Sequence, residues 1–410
     1  MRIVFPGILL TLMFLFAAPV PSPAEERLSG CSPCLAAHAT PGLIATSSDA
    51  TAISDTVSAE SLKEELLSRA AKSGPINWPK PMAHPVTATP RGGKSIDRGL
   101  SKFSEDELYK ALMSKERGVY GIDDRHDIFR LPSILEDSNV VLKNADATVA
   151  LIEASNVQTQ VDGAANLIGT PFAEAYQLCP TERFTRQPVC AFCSGVLIAP
   201  DIVATAGHCL RDQSIPPDNI RVVFGFRMKD PDTAVLSIPA YNVYKVAAVL
   251  DSQLTLGPDR DWALVRLDRP VVNRLPAKLR ASGEIGKDET VYVIGHPCGL
   301  PQKYAGGSSI LNNDPEHYFS ANLDTYGGNS GSPVFNRQTN EVEGLLVRGA
   351  NDFVPFTYDG TLCFRSEIWP TTGTQGEDVS RVSDFRQSFE ASLNKLKKAD
   401  ATAKAPPKTQ

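Results

Sequence analysis

The stretch GGNSGSPV at residues 327–334 places a serine, Ser330, two residues after a pair of glycines and shortly before an apolar run. Glycine tolerates backbone conformations that other residues avoid, so two glycines before a serine let backbone amides turn toward a bound group. Taken alone, the stretch also fits an ordinary turn. Its meaning therefore depends on which other side chains the chain offers to Ser330.

Two stretches upstream supply those side chains. The first runs from CSGVLI to VATAGHC within residues 193–209, and the second is DWALVRL at residues 261–267. Ser330, His208 and Asp261 are the residue types required for a nucleophile, its general base and the group that orients the base. Subtilisins and α/β-hydrolases place these three residue types in other orders along the chain. A single histidine or aspartate of this kind is usually structural, so the prediction depends on the three together.

From about residue 118, short apolar runs separated by Gly, Pro, Asn and Asp dominate the sequence. Such runs, with turn signals between them, predict short strands and an all-β sandwich or barrel. The runs cover residues 149–152, 195–198, 220–226, 243–250, 262–267, 291–294, 332–335 and 342–347. Apolar residues spaced by three and four from Val382 to Leu396 then predict one C-terminal helix. Residues 398–410 are predicted to be a disordered tail.

Together these stretches resemble the chymotrypsin-like serine proteases, over roughly residues 118–395. The resemblance implies an all-β fold of two six-stranded antiparallel β-barrels with a C-terminal helix, and we place this domain at residues 118–397. It also implies a serine endopeptidase that works through an acyl-enzyme intermediate. Such an enzyme needs no cofactor, and its partner is a polypeptide substrate.

The same resemblance implies a role for each site residue. Ser330 is the nucleophile, His208 is the base that takes its proton, and Asp261 orients the imidazole. The backbone N–H groups of Gly328 and Ser330 form the oxyanion hole, which binds the negative oxygen of the tetrahedral intermediate.

Two stretches resemble the bacterial glutamyl endopeptidase branch most closely: GGNSGSPVF at residues 327–335 and VYGIDDR at residues 119–125. The second resembles the beginning of the mature chain in that branch, so we predict a mature start near Gly118 or Val119. Mammalian digestive and clotting enzymes have an aspartate at the position of Asn329, where it pairs with the newly cut N terminus. Asparagine cannot supply that negative charge, which argues against the same activation mechanism here.

Two residues compete as determinants of specificity. Asp324 lies six residues before Ser330, where trypsin-like members place the carboxylate that binds Arg or Lys, so we predict cleavage after basic residues. The alternative is that Asp324 is a structural turn residue, paired with Arg348. The glutamyl branch has a histidine where this chain has Leu346, which argues against a glutamyl preference. Arg348 nevertheless offers a cation to an acidic side chain, so we assign substrate binding to Asp324 and Arg348.

The chain has eight cysteines, an even number that fits up to four disulfides in an exported protein. The family resemblance implies a bridge between Cys193 and Cys209, around the histidine motif. For the remaining cysteines of the domain we predict the pairs Cys179–Cys190 and Cys298–Cys363, although spacing does not determine connectivity.

Other classes of site and partner have little support. His296 resembles a structural loop residue of bacterial relatives, and the other histidines lack the paired spacing of a metal site, so no metal is predicted. The net charge is −6 without a long run of Lys or Arg, which argues against nucleic-acid binding. We predict a monomer.

The N-terminal quarter is predicted to direct export. Arg2, an apolar stretch at residues 3–20 and small residues at 22–24 fit a signal peptide over residues 1–24, with a membrane anchor as the alternative. Residues 25–117 are predicted to be a weakly structured, proline-punctuated leader, which is either a removable pro-segment of a zymogen or a permanent arm. We therefore expect a secreted or periplasmic protein without a stable membrane partner.

Two other functions remain open at this point. The domain could be a catalytically silent binding module on a protease fold, although loss of catalysis usually removes a triad residue or an oxyanion-hole glycine. The same triad could also hydrolyse an ester or a non-peptide amide.

Overall fold

The computed structural model describes residues 65, 119–161, 163–211, 215–255, 260–348, 352–371 and 376–403. The predicted signal peptide, the leader apart from Glu65, and residues 404–410 of the predicted tail lie outside the described residues. Within this part of the chain, no helix is long and apolar enough to cross a membrane.

Strands make up most of the regular structure. They are β1 Val119–Tyr120, β2 His126–Asp127, β3 Thr148–Glu153, β4 Val157–Thr159, β5 Ala164–Leu167, β6 Thr170–Pro171, β7 Pro188–Val189, β8 Ala191–Ala199, β9 Ile202–Thr205, β10 Ile220–Phe224, β11 Ser237–Pro239, β12 Val243–Leu254, β13 Asp261–Leu267, β14 Thr290–Gly295, β15 Lys303–Asn312, β16 Tyr318–Ala321, β17 Pro333–Asn336, β18 Val342–Arg348, β19 Phe353–Tyr358, β20 Thr361–Ser366, β21 Ile368–Trp369 and β22 Glu377–Arg381. The α-helices are α1 Leu131–Ile134, α2 Ser138–Ala147, α3 Phe172–Tyr176, α4 His208–Arg211 and α5 Val382–Ala403.

The first barrel consists of six antiparallel strands in the order β3, β8, β9, β13, β12 and β10, and β10 pairs back onto β3. Its interior is filled by apolar side chains of the runs that predicted strands, among them Leu151, Val196 and Leu264. Strand β9 lies beside β13, with Thr205 opposite Ala263. The residues that follow β9 therefore meet the beginning of β13.

The second barrel has the order β14, β17, β18, β22, β16 and β15, and it closes through the pairing of β14 with β15. Strand β2 adds to it by pairing with β15. Apolar side chains such as Val293, Phe319 and Val379 fill its interior. The predicted fold class of two six-stranded antiparallel barrels is confirmed.

Helix α5 confirms the predicted C-terminal helix. Phe385 is fully buried and its ring lies 6.1 Å from that of Trp262, while the indole N–H of Trp262 donates to Asp384 over 2.8 Å. The helix continues through residues 398–403, so the prediction of a disordered tail from residue 398 was wrong for these six. Lys398 and three alanines favour helix there, because both residue types have high helix propensity.

The predicted start of the mature domain lies against the second barrel. Strand β1 pairs in parallel with β21, and the N–H of Gly121 donates to the carbonyl of Trp369 over 2.7 Å. Val119 is fully buried. The domain's first residues are thus part of its packed structure.

The structure contains one of the three predicted disulfides. The bridge Cys193–Cys209 is present, whereas Cys179 bonds to Cys363, so both weaker pairings were wrong. The backbone N–H of Cys179 donates to the carbonyl of Phe364, which brings the Cα atoms of Cys179 and Cys363 to 5.0 Å. Cys190 and Cys298 are buried free thiols.

Candidate active site

Two neighbouring strands bring the predicted base and its orienting carboxylate together. His208 begins α4 just after β9, and Asp261 is the first residue of β13, the adjacent strand. The imidazole Nδ1 lies 2.7 Å from Oδ2 of Asp261, and the backbone N–H of His208 donates to Oδ1 over 3.0 Å. Asp261 thus holds both the ring and the backbone of His208, which leaves Nε2 as the ring nitrogen that does not contact Asp261.

The environment of Asp261 favours its charged form. Burial alone would raise the pKa of this carboxyl group, which is only 4% exposed. The adjacent His208 imidazole and the hydrogen bonds from His208 outweigh burial and hold the pKa of Asp261 below its ordinary value, with Arg348 acting in the same direction. An ionised Asp261 stabilises a positively charged imidazole, as a triad aspartate must.

The loop that carries Ser330 lies between β16 and β17 in the second barrel and is bonded to the first. The backbone N–H of Ser194, on β8, donates to the carbonyl of Ser330 over 2.8 Å. That carbonyl also lies 3.7 Å from the sulfur of Cys209, the residue after His208. The fold therefore brings Ser330 next to the histidine motif.

The backbone at Gly328 has a conformation and surroundings that favour glycine. Its φ of +83° lies in the left-handed region, and a Cβ there would lie 2.9 Å from both the oxygen of His296 and the nitrogen of Gly299. The N–H of Cys298 donates to the carbonyl of Gly327 over 2.5 Å. In a trans peptide the C=O and N–H point in opposite directions. The N–H of Gly328 therefore points away from Cys298.

A family model described as a trypsin-like peptidase domain matches residues 193–345, the span that contains His208, Asp261 and Ser330. Residues 193–345 are therefore similar to trypsin-like peptidase domains. Over 158 residues it is 29% identical to the glutamyl endopeptidase of Bacillus licheniformis, an alignment that covers 37% of this chain and 47% of that protein. The match spans about half the length of this relative. The predicted resemblance to the glutamyl endopeptidase branch is confirmed.

Solved structures similar to this chain include a Glu endopeptidase in complex with MPD and the VesB protease of Vibrio cholerae. The first has a TM-score of 0.38 at 16% identity and covers 67% of this chain and 99% of that one. The second has a TM-score of 0.40 at 16% identity and covers 67% of this chain and 68% of that one.

Asp324 does not lie in an open pocket of the peptidase domain. One carboxylate oxygen accepts the N–H of Tyr120 over 2.7 Å, the other accepts the N–H of Asp124 over 2.8 Å, and the residue is 4% exposed. Burial raises its pKa. Both oxygens are thus engaged by the domain's own N-terminal segment, which argues against a role of Asp324 in substrate binding. Arg348 pairs with Asp378 and not with Asp324.

Arg348 is the last residue of β18 and lies near the triad. Its Nε is 3.0 Å from Oδ2 of Asp378, its guanidinium lies over the Tyr318 ring, and its charge helps to lower the pKa of Asp261. Its side chain is 18% exposed. Leu346, two residues earlier, is buried in the core of the second barrel.

Several groups around the nucleophile loop were not predicted as part of the site. Ser194 and Cys298 bond to the loop directly, and Asn329, which is 2% exposed, accepts a hydrogen bond from Ser332. His296 is structural, as predicted: it stacks on Phe226, and burial lowers its pKa to about 4. A serine in a strand and a cysteine after proline carry no sequence signal for such contacts.

A metal ion has no suitable ligand set at the triad. The ligand atoms of Cys193, His208 and Cys209 lie within 4.8 Å of one another. The two sulfurs are joined in a disulfide, whereas a cysteine binds metal as a thiolate.

Asp352 is a buried carboxyl group beside the nucleophile loop. Its Oδ2 accepts the N–H of Gly327 over 2.8 Å and lies 3.6 Å from the sulfur of Cys298. No described residue bonds to its Oδ1. Burial raises the pKa of Asp352 to about 7, from an ordinary value of 3.8. The folded protein therefore holds this proton more tightly than the unfolded chain does, and stability is lost as the pH rises between these two values.

We expect Asp352→Asn to stabilise the protein at pH 8 and to have little effect at pH 4. The amide keeps the shape of the carboxyl group and cannot ionise, so the cost of a buried charge disappears. The raised pKa of Asp352 corresponds to a gain in the free energy of unfolding on the order of 4 kcal/mol at most. Urea unfolding at both pH values measures it, with the exposed Asp359→Asn as control. An equal gain at both pH values would mean that charge is not the cause.

Proposed function

We propose that this protein is an exported serine endopeptidase. The bonded pair of His208 and Asp261, beside a loop that offers Ser330 and the N–H of Gly328, is the observation that carries the proposal. The trypsin-like peptidase domain at residues 193–345 supports it, and the predicted signal peptide at residues 1–24 supports export.

The reaction would begin with attack of Ser330 Oγ on the carbonyl carbon of the scissile peptide bond. Nδ1 of His208 is bonded to Asp261, so Nε2 takes the hydroxyl proton. The carbonyl oxygen becomes negative in the tetrahedral intermediate and accepts the N–H groups of Gly328 and Ser330. Nε2 then gives its proton to the departing amine, and an acyl-enzyme remains. Water, deprotonated by His208, repeats the sequence and frees Ser330.

The preference before the cut is proposed to be acidic, through Arg348. Asp324, the residue on which a basic preference depended, has both oxygens engaged by backbone N–H groups. Arg348 keeps its charge at every physiological pH, and a guanidinium binds a carboxylate through paired hydrogen bonds. Its influence on the pKa of Asp261 supports a position near the triad, and the relative of Bacillus licheniformis is named a glutamyl endopeptidase.

Digestion of unfolded casein by the purified protein, with every cut site identified by mass spectrometry, tests the activity. Cutting that a serine-directed fluorophosphonate abolishes would support the endopeptidase over a silent binding module. A preference for small esters, without cutting of casein, would support the esterase or amidase alternative. Failure of the folded protein to cut casein or esters and to react with the fluorophosphonate would contradict the proposal.

We expect Arg348→Gln to lower kcat/KM for a peptide with Glu before the cut at least tenfold relative to the same peptide with Gln. The substituted side chain cannot form a charged pair with the substrate carboxylate, while the uncharged substrate loses little. Two peptides that differ only in having Glu or Gln before the cut measure the ratio of the two kcat/KM values. Arg266→Gln is the matched control, because Arg266 bonds to Asp201 on the first barrel. Cleavage mainly after Arg or Lys in the wild type would contradict the acidic preference.

A further inference from the structure

Ser194 lies on β8 of the first barrel and is fully buried. Its side chain is bonded on both sides. Oγ accepts the N–H of His296 over 3.0 Å and donates to the carbonyl of Gly328 over 2.9 Å. The bond from His296 occupies a lone pair of the hydroxyl oxygen, which leaves the hydroxyl hydrogen for Gly328.

The nucleophile loop is held through three of its backbone carbonyls. That of Gly327 accepts the N–H of Cys298, that of Ser330 accepts the N–H of Ser194, and that of Gly328 accepts the Ser194 hydroxyl. Among these three donors, the hydroxyl alone belongs to a side chain. A substitution at Ser194 therefore removes one restraint and leaves the two backbone bonds in place.

Gly328, whose carbonyl accepts the Ser194 hydroxyl, is the residue of the loop whose backbone most needs to be fixed. Gly328 can adopt many backbone conformations, and its φ of +83° is one that a loop of other residues would avoid. An oxyanion hole stabilises the transition state only if its donors are held at the position of the negative oxygen. The hydroxyl of Ser194 fixes the carbonyl on one side of the Gly328 Cα, and the N–H of the hole lies on the other side.

We propose that Ser194 is a positioning residue, whose hydroxyl holds Gly328 in the conformation that directs its N–H into the oxyanion hole. This inference rests on the proposed function. Strand β8 pairs with β9, which leads directly into His208. One strand pair of the first barrel thus carries the base and also fixes part of the second barrel's nucleophile loop.

Kinetics of Ser194→Ala test the proposal. We expect kcat to fall roughly 10- to 100-fold, less than the 10²- to 10³-fold loss that follows removal of a donor itself. KM is expected to change less than about twofold, since the hole acts on the transition state. Affinity for a peptide boronic acid, which forms a tetrahedral adduct with the serine, should fall by the same factor as kcat/KM. Rates are counted per active site titrated with fluorophosphonate, so unfolded molecules do not contribute.

Thr205→Val is the matched control. The hydroxyl of buried Thr205 donates to the carbonyl of Ser194 over 2.7 Å and packs beside Gly331, whereas Gly328 is bonded by the Ser194 hydroxyl instead. Its loss should lower the melting temperature and leave kcat nearly unchanged. If Ser194→Ala does not fold, Ser194→Thr and Ser194→Val replace it. Threonine keeps the hydroxyl and should retain kcat. Valine has the shape of threonine without the hydroxyl, so kcat should fall.

Two results distinguish a failure of the Ser194 proposal from a failure of the proposed function. A normal kcat and boronate affinity in Ser194→Ala, or equal effects in Thr205→Val, would overturn the role of Ser194 while the endopeptidase assignment stands. Absence of serine-dependent cutting in the wild type would overturn the proposed function and this inference together.

Discussion

Replacement of Ser330 by alanine is expected to abolish peptide hydrolysis, with a loss in kcat on the order of 10⁶-fold. A triad without its nucleophile cannot form the acyl-enzyme, and only binding and the oxyanion hole remain to assist attack by water. Hydrolysis of a peptide substrate and reaction with a fluorophosphonate both measure the loss. The folded structure should be retained, because Ser330 contacts β8 through its backbone carbonyl, which alanine keeps.

The melting temperature of Ser330→Ala should therefore lie within a few degrees of the wild type. Ser282→Ala, at an exposed serine, is the matched control and should keep full activity. Substantial proteolysis by purified Ser330→Ala would show that another residue is the nucleophile.

Asp261→Asn is expected to lower kcat by about 10⁴-fold at neutral pH. An amide N–H in place of the carboxylate would donate to Nδ1 of His208, and the ring proton would move to Nε2. Nε2 could then no longer take the proton of Ser330. The peptide hydrolysis rate per titrated active site measures the effect, with Asp201→Asn on the first barrel as control. A fall of less than tenfold would assign Asp261 a structural role.

The same substitution has an effect on stability that depends on pH. The pKa of Asp261 lies below its ordinary value, so the ionised carboxylate stabilises the folded protein above the pKa of the unfolded chain. This contribution is lost as the pH falls through the lowered pKa. Asp261→Asn should thus destabilise the protein more at pH 7 than at pH 3, and unfolding in urea at both values measures the difference.

The parts of the site that were predictable are those encoded in short contiguous stretches. His208 lies three residues after the end of β9, Asp261 begins β13, and Cys209 is one residue from His208. Adjacent strands then bring these residues together through local pairing. The alternation of apolar runs and turn residues predicts an all-β sandwich or barrel, and the family resemblance implied that there are two barrels. The structure shows His208 bonded to Asp261 and the backbone of Ser330 beside Cys209, and the catalytic roles of these residues remain predictions.

Asp324 shows where sequence position was insufficient. Counting six residues back from Ser330 located the residue, but the backbone donors that engage it lie 204 and 200 residues earlier in the chain. The disulfide Cys179–Cys363 joins residues 184 apart in the same way. Neither contact leaves a spacing pattern, because each depends on how a distant segment packs against the second barrel.

The sequence by itself determined the all-β class and the C-terminal helix, since each depends on periodicity along the chain. The resemblance of its motifs to a protease family implied the two barrels, the bridge around the histidine motif and the roles of the candidate triad. Tertiary structure alone decided the use of Asp324, the pairing of Cys179 and the contacts of Ser194 and Asp352 with the nucleophile loop. In each of these cases a polar or sulfur group is satisfied by a partner far away in sequence. Which partner is within reach is set by the packing of whole barrels and not by local propensity.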